Sequence, residues 1–175
     1  MQHNDHVRLL RDGIASPGGI WADLGSGTGA FTLALADLIR KEGQIYSVDK
    51  DESILREQER VMHARFPNVT THYLHADFAH HLALPSLDGV VMANSLHFHR
   101  HKGPILGLVH SYLKPGGRLI LVEYNVNQGN MWVPHPISYP TWEVLAKKNG
   151  FTQTRLLATA PSRFLGEMFS AVSEK

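Results

Sequence analysis

Short apolar runs alternate with longer amphipathic stretches along most of the chain. Val7, Leu10 and Ile14 are spaced three and four apart, which predicts a short leading helix over 5–14. Ser16-Pro17-Gly18-Gly19 breaks the chain, and the apolar run at 20–24, ending in glycines, predicts a buried strand. Phe31, Leu33, Leu35, Leu38 and Ile39 predict a helix over 29–41, closed by Gly43. A second strand is expected at 44–49. A helix over 51–65 follows, with Ile54, Leu55, Val61 and Met62 as its apolar face. Residues 69–75 alternate like a third strand, and 87–93 are apolar almost throughout, like a fourth. A helix over 103–113 should end at Lys114-Pro115-Gly116-Gly117, before a fifth strand at 118–124. Residues 125–140 show no clear period. A helix over 139–149 comes next, then two strands at 152–158 and 163–170 joined at Ala160-Pro161-Ser162.

Strand–helix alternation with apolar strands predicts an α/β, doubly wound three-layer sandwich around a mostly parallel sheet. The last two strands are joined too closely for a crossover, so they should pair antiparallel. In such sheets ligands bind beyond the carboxyl ends of the strands. Candidate residues therefore lie just after strands one to four.

The 175 residues predict a single domain over 1–175, with 1–18 as a short N-terminal helical segment. Hydrophobic residues make up 43% and charged residues 19%, which excludes intrinsic disorder. Lys plus Arg number 17 against 16 Asp plus Glu, a balance that disfavours nucleic acid and anionic membranes as partners. No apolar run approaches the ~18 residues of a membrane span, and the first residues lack a signal-peptide core. Cysteine is absent, which excludes disulfides, thiolate zinc sites and a cysteine nucleophile, and fits a cytoplasmic protein. Twelve histidines make chance clusters common. No metal is therefore assigned to His97, His99 and His101, and His80-His81 is read as solvated.

The strongest chemical signal is Asp23-Leu24-Gly25-Ser26-Gly27-Thr28-Gly29-Ala30, between the first strand and the next helix. Its glycines permit a tight turn and close backbone approach, and the helix N-terminus offers free N–H groups. Gly25, Gly27 and Ala30 also fit a dinucleotide fingerprint. Asp23 separates the two readings: a carboxylate beneath the turn would crowd a pyrophosphate but suits an ammonium group. A dehydrogenase would also need a substrate domain, for which the chain has no room. Asp49 ends the second strand, where an acid can take both ribose hydroxyls, or simply cap the next helix.

With Asp23, Gly25, Gly27 and Gly29 as D-x-G-x-G-x-G, the turn resembles motif I of class I S-adenosylmethionine-dependent methyltransferases. The similarity extends to His75-Ala76-Asp77-Phe78, to the fourth-strand segment from Leu87 to His97, and to Leu113-Lys114-Pro115-Gly116-Gly117 before the fifth strand. It implies a seven-stranded sheet of order 3-2-1-4-5-7-6 with S-adenosyl-L-methionine as cofactor. The cofactor residues it implies are Asp23, Gly25, Ser26, Gly27, Gly29, Asp49, Lys50, Ala76, Asp77, Phe78 and Asn94. An acid at Asp77 would accept from the adenine amino group, with Phe78 covering the ring; otherwise Asp77 caps a turn.

His97, at the ligand end of the fourth strand, is the expected base or acceptor-positioning group; the alternative is a histidine that only bonds a backbone carbonyl. Glu123 at the end of the fifth strand is the second expected catalytic residue, or else half of a structural ion pair. Tyr124, Trp132 and His135 are expected around the acceptor, with 125–140 as a substrate loop. The chain lacks an Asn-Pro-Pro-Tyr after the fourth strand, having Asn94-Ser95-Leu96-His97, which disfavours exocyclic amino acceptors. The resulting expectation is methyl transfer to a small-molecule acceptor. RNA or protein methylation and non-catalytic cofactor binding are the alternatives. Phe164, Leu165, Met168 and Phe169 could form a homodimer patch but fit core positions better.

Overall fold

The apolar strands alternate their side chains between two faces, and each face builds its own core. In β4 (Leu87–Ala93), Val90 and Met92 enter one core while Val91 enters the other. In β5 (Leu113–Tyr124), Leu119 and Leu121 divide from Ile120 and Val122 in the same way. A computed structural model describes all 175 residues. One face of the sheet is covered by α1 (His3–Arg11), α2 (Ala30–Ile39) and α3 (Glu52–Arg65). The other is covered by α4 (Gly103–Tyr112) and α5 (Tyr139–Lys148), whose Trp142 is fully buried.

The sheet is completed by β1 (Gly19–Leu24), β2 (Gly43–Asp49), β3 (Thr70–His75), β6 (Thr152–Ser162) and β7 (Gly166–Glu174). Its order is β3-β2-β1-β4-β5-β7-β6, as expected. The first five strands are parallel, and β7 runs antiparallel to both neighbours. The order reverses between β1 and β4, so the carboxyl ends of these strands face one crevice.

Several boundaries shift by a few residues, and two of the departures have a tertiary cause. Lys114-Pro115-Gly116-Gly117 does not separate helix from strand. Leu113 already pairs with Leu87, and pairing resumes at Gly89 with Arg118, so the segment bulges out of β5. The C-terminus ties it down: Gly116 N–H donates to Lys175 O, and Lys175 N–H donates to Gly117 O. The turn between β6 and β7 also falls later than Ala160-Pro161-Ser162. Pro161 pairs within the ladder opposite Glu167, which is tolerated because β6 is the edge strand. The turn is Arg163-Phe164-Leu165. There Phe164 is 47% exposed and Leu165 half-buried, while Met168 and Phe169 are core.

The penultimate residue of β1 is Asp23, a carboxyl only 1% exposed. Thr32 of α2 donates its hydroxyl to Asp23 Oδ2 at 2.6 Å, tying the strand to the helix it feeds. Burial pushes the carboxyl up to about 7, against the pull of the Thr32 hydrogen bond.

Packing and titration each yield a prediction. At Gly89 an added Cβ would stand 2.2 Å from Trp21 Cζ3, whereas at exposed Gly107 on α4 it would meet nothing. G89A should destabilise by about 1–3 kcal/mol, and G107A should stabilise by about 0.5–1 kcal/mol, in urea denaturation; G89A at wild-type stability would contradict the packing. For Asp23, the folded chain holds a proton between about pH 4 and about pH 7 that the unfolded chain has released. Its contribution to stability therefore falls as pH rises through that window. D23N cannot ionise and should flatten this fall between about pH 4 and about pH 7; identical slopes in both proteins would refute it.

Candidate active site

The turn from β1 into α2 is shaped by neighbours that leave room for backbone only. Gly25 has φ +77°, and a Cβ there would lie 2.5 Å from Ser95 Cβ. Ser95 is fixed in turn, donating its hydroxyl to Leu24 O at 2.7 Å. The N–H groups of Gly25 and Ser26 both donate to Val48 O, at 2.9 and 3.0 Å. Gly27 N–H donates to Asp49 Oδ2 at 2.8 Å, and Asp51 N–H donates to Asp49 Oδ1 at 3.0 Å. Each Asp49 oxygen keeps a further lone pair for a ligand hydroxyl. The helix-cap alternative for Asp49 does not apply, because Asp51 caps α3, accepting from Ser53 N–H and Ile54 N–H.

These groups open onto a cavity of about 550 Å³. Gly25, Ser26, Gly27 and Thr28 form one wall, Asp49 and Lys50 the next, and Ala76, Asp77 and Phe78 the third. Ala93 at the end of β4 and Asn94 and Ser95 after it close the floor, Phe98 and His99 follow them, and His6, Ala30 and Phe31 complete the lining. Of the eleven cofactor positions expected from sequence, nine line this cavity; Asp23 and Gly29 lie behind it. Asp23 gives its carboxylate to Thr32, and Gly29, with φ +83°, starts α2. Asp77 caps the turn that follows it, its Oδ1 accepting from Ala79 N–H at 2.9 Å, and it also lines the cavity.

Asn94 is the irregular residue of the floor. It holds φ +53°, and its buried Oδ1 has no hydrogen-bond partner in the protein. An orphan acceptor in a cavity wall calls for a donor on a ligand.

His97 and Glu123 come together, but not on the cavity. His97 is 3% exposed and Glu123 fully buried. Glu123 Oε1 accepts the His97 backbone N–H at 3.0 Å, and Oε2 sits 2.8 Å from Nδ1. The carboxylate thereby holds the ring turned inward from the short 3₁₀ turn Leu96–Phe98. His99, two residues on, faces the cavity instead, its ring edge-on to Phe78 with centroids 5.1 Å apart. Burial holds the His99 imidazole below its ordinary range; Asp77 opposes this, while Lys102 and Lys50 add to it. His101 is exposed, so the three histidines point to different surroundings.

The 125–140 loop docks on this segment. His135 N–H donates to His97 O at 3.0 Å, and Lys102 Nζ donates to the carbonyls of both His99 and His135. Tyr124 packs near the His97 ring, at 5.9 Å between centroids. Trp132, expected at the acceptor, is 68% exposed and does not line the cavity. The loop amides, too, are used internally. Asn130 Oδ1 accepts from Trp132 and Val133 N–H, Asn127 Oδ1 from Ser138 N–H, and Asn125 Oδ1 from Tyr139 N–H. The loop is thus a self-bonded brace behind the site, stitched by Asx-type contacts.

Sequence reasoning missed His6, Phe31, Phe98 and His99 as cavity residues. His6 had a readable signal, a polar ring beside Val7 on the leading helix. It packs edge-on against Phe31 at 4.7 Å, and burial lowers its pKa. A second hollow, about 420 Å³, lies at the opposite strand ends around Gly19, Asp88 and Lys114, and contains none of the expected residues.

Comparison with known proteins agrees with this geometry. Residues 22–119 match the family model described as a methyltransferase domain. A ubiquinone/menaquinone biosynthesis C-methyltransferase of Burkholderia mallei is 31% identical over 129 residues, covering 72% of this chain and 50% of that protein. The chain thus spans about half the length of the curated relatives it matches. Two solved structures share the fold at low identity. A SAM-dependent methyltransferase from Aquifex aeolicus has TM-score 0.75, 17% identity, and coverage of 97% of this chain and 89% of that one. The Burkholderia thailandensis 1,6-didemethyltoxoflavin-N1-methyltransferase, solved with S-adenosylhomocysteine bound, has TM-score 0.74, 16% identity, and coverage of 99% and 77%. No helix is long and apolar enough to cross a membrane. With its sheet order, its glycine turn and these matches, the chain belongs to the class I S-adenosylmethionine-dependent methyltransferases.

Proposed function

We propose that this chain binds S-adenosylmethionine in the 550 Å³ cavity and transfers its methyl group to a small organic acceptor, with carbon as the atom methylated. The observation that carries the reading is a single cavity walled by the glycine turn and by both strand-end carboxylates, Asp49 and Asp77. The carbon acceptor is favoured by the C-methyltransferase named among the relatives above 30% identity.

The residues present fit the cofactor. Asp49 has unused lone pairs for ribose hydroxyls, Asp77 and Phe78 flank a planar ring, and Asn94 Oδ1 lacks a donor. Space beside Gly27 is open to 4 Å from where a Cβ would stand. When bound, the sulfonium supplies an electrophilic methyl group that needs no further activation. The chain's remaining work is to hold the acceptor in line, exclude water and take a proton where a carbon nucleophile must shed one.

His99, one of two histidines on this cavity with His6, is suited to that proton transfer. Burial holds its imidazole below the ordinary range, which favours the neutral ring whose free nitrogen can accept a proton. His97 and Glu123 hold the segment that presents it, through one side-chain and one backbone hydrogen bond. The catalytic role expected of His97 thus passes to His99, with His97 and Glu123 positioning it.

Two measurements test this reading. Calorimetry with S-adenosylhomocysteine should give one site on the wild-type chain and an affinity at least about tenfold weaker in D49A, because hydrogen bonds to a charged group are lost. Unchanged affinity in D49A would remove Asp49 from the site. Methyl-transfer assays with radiolabelled S-adenosylmethionine against a panel of phenols and hydroquinones should show turnover. With an accepted substrate, H99A should lower kcat about a hundredfold while the S-adenosylhomocysteine affinity moves by less than about threefold. Equal kcat in both proteins would exclude His99 as the base.

A further inference from the structure

α3 contributes nothing to the cavity lining, yet one of its side chains reaches beneath the glycine turn. Gln58 is 1% exposed, on a helix face otherwise buried through Leu55 and Met62. A buried amide is costly unless its donors and acceptor are paired. Here all its partners belong to the turn or its flanks. Ser47 of β2 donates its hydroxyl to Gln58 Oε1 at 2.5 Å, and Ser47 Oγ lies 2.8 Å from Ser26 Oγ. Gln58 Nε2 donates to Gly27 O at 3.2 Å and to Thr32 Oγ1 at 3.3 Å. Thr32 in turn donates to Asp23. A Cβ on Gly29 would stand 2.4 Å from Gln58 Cγ, so the side chain fills the volume under the turn.

Asp49 and Gln58 thus hold opposite ends of one residue: the carboxylate accepts from Gly27 N–H, and the amide donates a hydrogen bond to Gly27 O. A turn with glycine at 25, 27 and 29 has more backbone freedom than any other sequence would, and a ligand must pay to order it. We propose that Gln58 is a positioning residue, which fixes the Gly27 peptide from outside the cavity and so sets the affinity for the adenosyl cofactor before that cofactor arrives. This inference rests on the cofactor reading above. It adds a determinant on a helix that no ligand would touch.

The test uses the whole chain with S-adenosylhomocysteine as probe. Q58M keeps the length and apolar bulk but no hydrogen bonds; it should weaken binding about tenfold and speed amide exchange at Gly27 and Thr28 in the ligand-free protein. Q58E can still accept from Ser47 but cannot donate to Gly27 O, so it should not restore the affinity. S47A removes the anchor of Oε1 and should weaken binding about threefold, which keeps the inference testable should Q58M fold poorly. A merely structural role would lower the melting temperature and leave affinity and Gly27 exchange unchanged. A wild-type chain that binds while folded Q58M and S47A match it overturns this inference alone. A wild-type chain that does not bind overturns the cofactor reading and this inference with it.

Discussion

The site depends on a turn with space for backbone and nothing else. Ser95 from the β4 end stands against Gly25, and the Gln58 side chain stands against Gly29. Between them the chain reverses from β1 into α2 with its N–H groups directed at Val48 O and Asp49. The carboxylate of Asp49 is therefore part of the turn before it is part of any ligand site. Because β1 and β2 are adjacent and in parallel register, with Asp23 opposite Ser47 and Leu24 opposite Val48, the loop after β1 and the acid after β2 cannot avoid each other. The same register carries β3 to Asp77 and Phe78 and β4 to Asn94 and Ser95. One sheet edge thus gathers residues far apart in sequence, and the cavity is a consequence of strand order.

The acids of motif I and strand two have different surroundings. Asp49 accepts from the N–H groups of Gly27 and Asp51. Asp23, sealed behind the turn, is driven toward the neutral acid and is held by a threonine hydroxyl. A nearby cation would favour its ionised form. Burial is the largest cause of the Asp23 shift; the Thr32 hydrogen bond opposes it and the Asp49 charge adds to it.

Much of the fold was legible because its determinants are local. The nearly unbroken apolar run of β4 and the glycine that closes the helix after the glycine turn need no tertiary knowledge. The register of β5 was not legible, since Lys114-Pro115-Gly116-Gly117 reads as a turn until the C-terminal Lys175 is seen bonding it into the sheet. Pro161 likewise reads as a breaker, and only its place on an edge strand lets it pair. At the site, the strand-end positions Asp49, Asp77 and Asn94 followed from topology. That His99 rather than His97 lines the cavity did not. In a short 3₁₀ turn no period fixes which side chain faces inward, and Glu123, 26 residues later, decides it by accepting from His97 twice. The asparagines of the 125–140 loop are ambiguous for a related reason: amides can serve a ligand or the backbone, and here their Oδ1 atoms accept from backbone N–H groups.

The most direct test of the central claim is a structure of this chain with S-adenosylhomocysteine bound. The ribose hydroxyls should lie within hydrogen-bond distance of the Asp49 carboxylate, with the adenine against Phe78 and its amino group toward Asp77. A ligand seated elsewhere, or a ribose facing away from Asp49, would contradict the claim that this strand-edge cavity is the cofactor site.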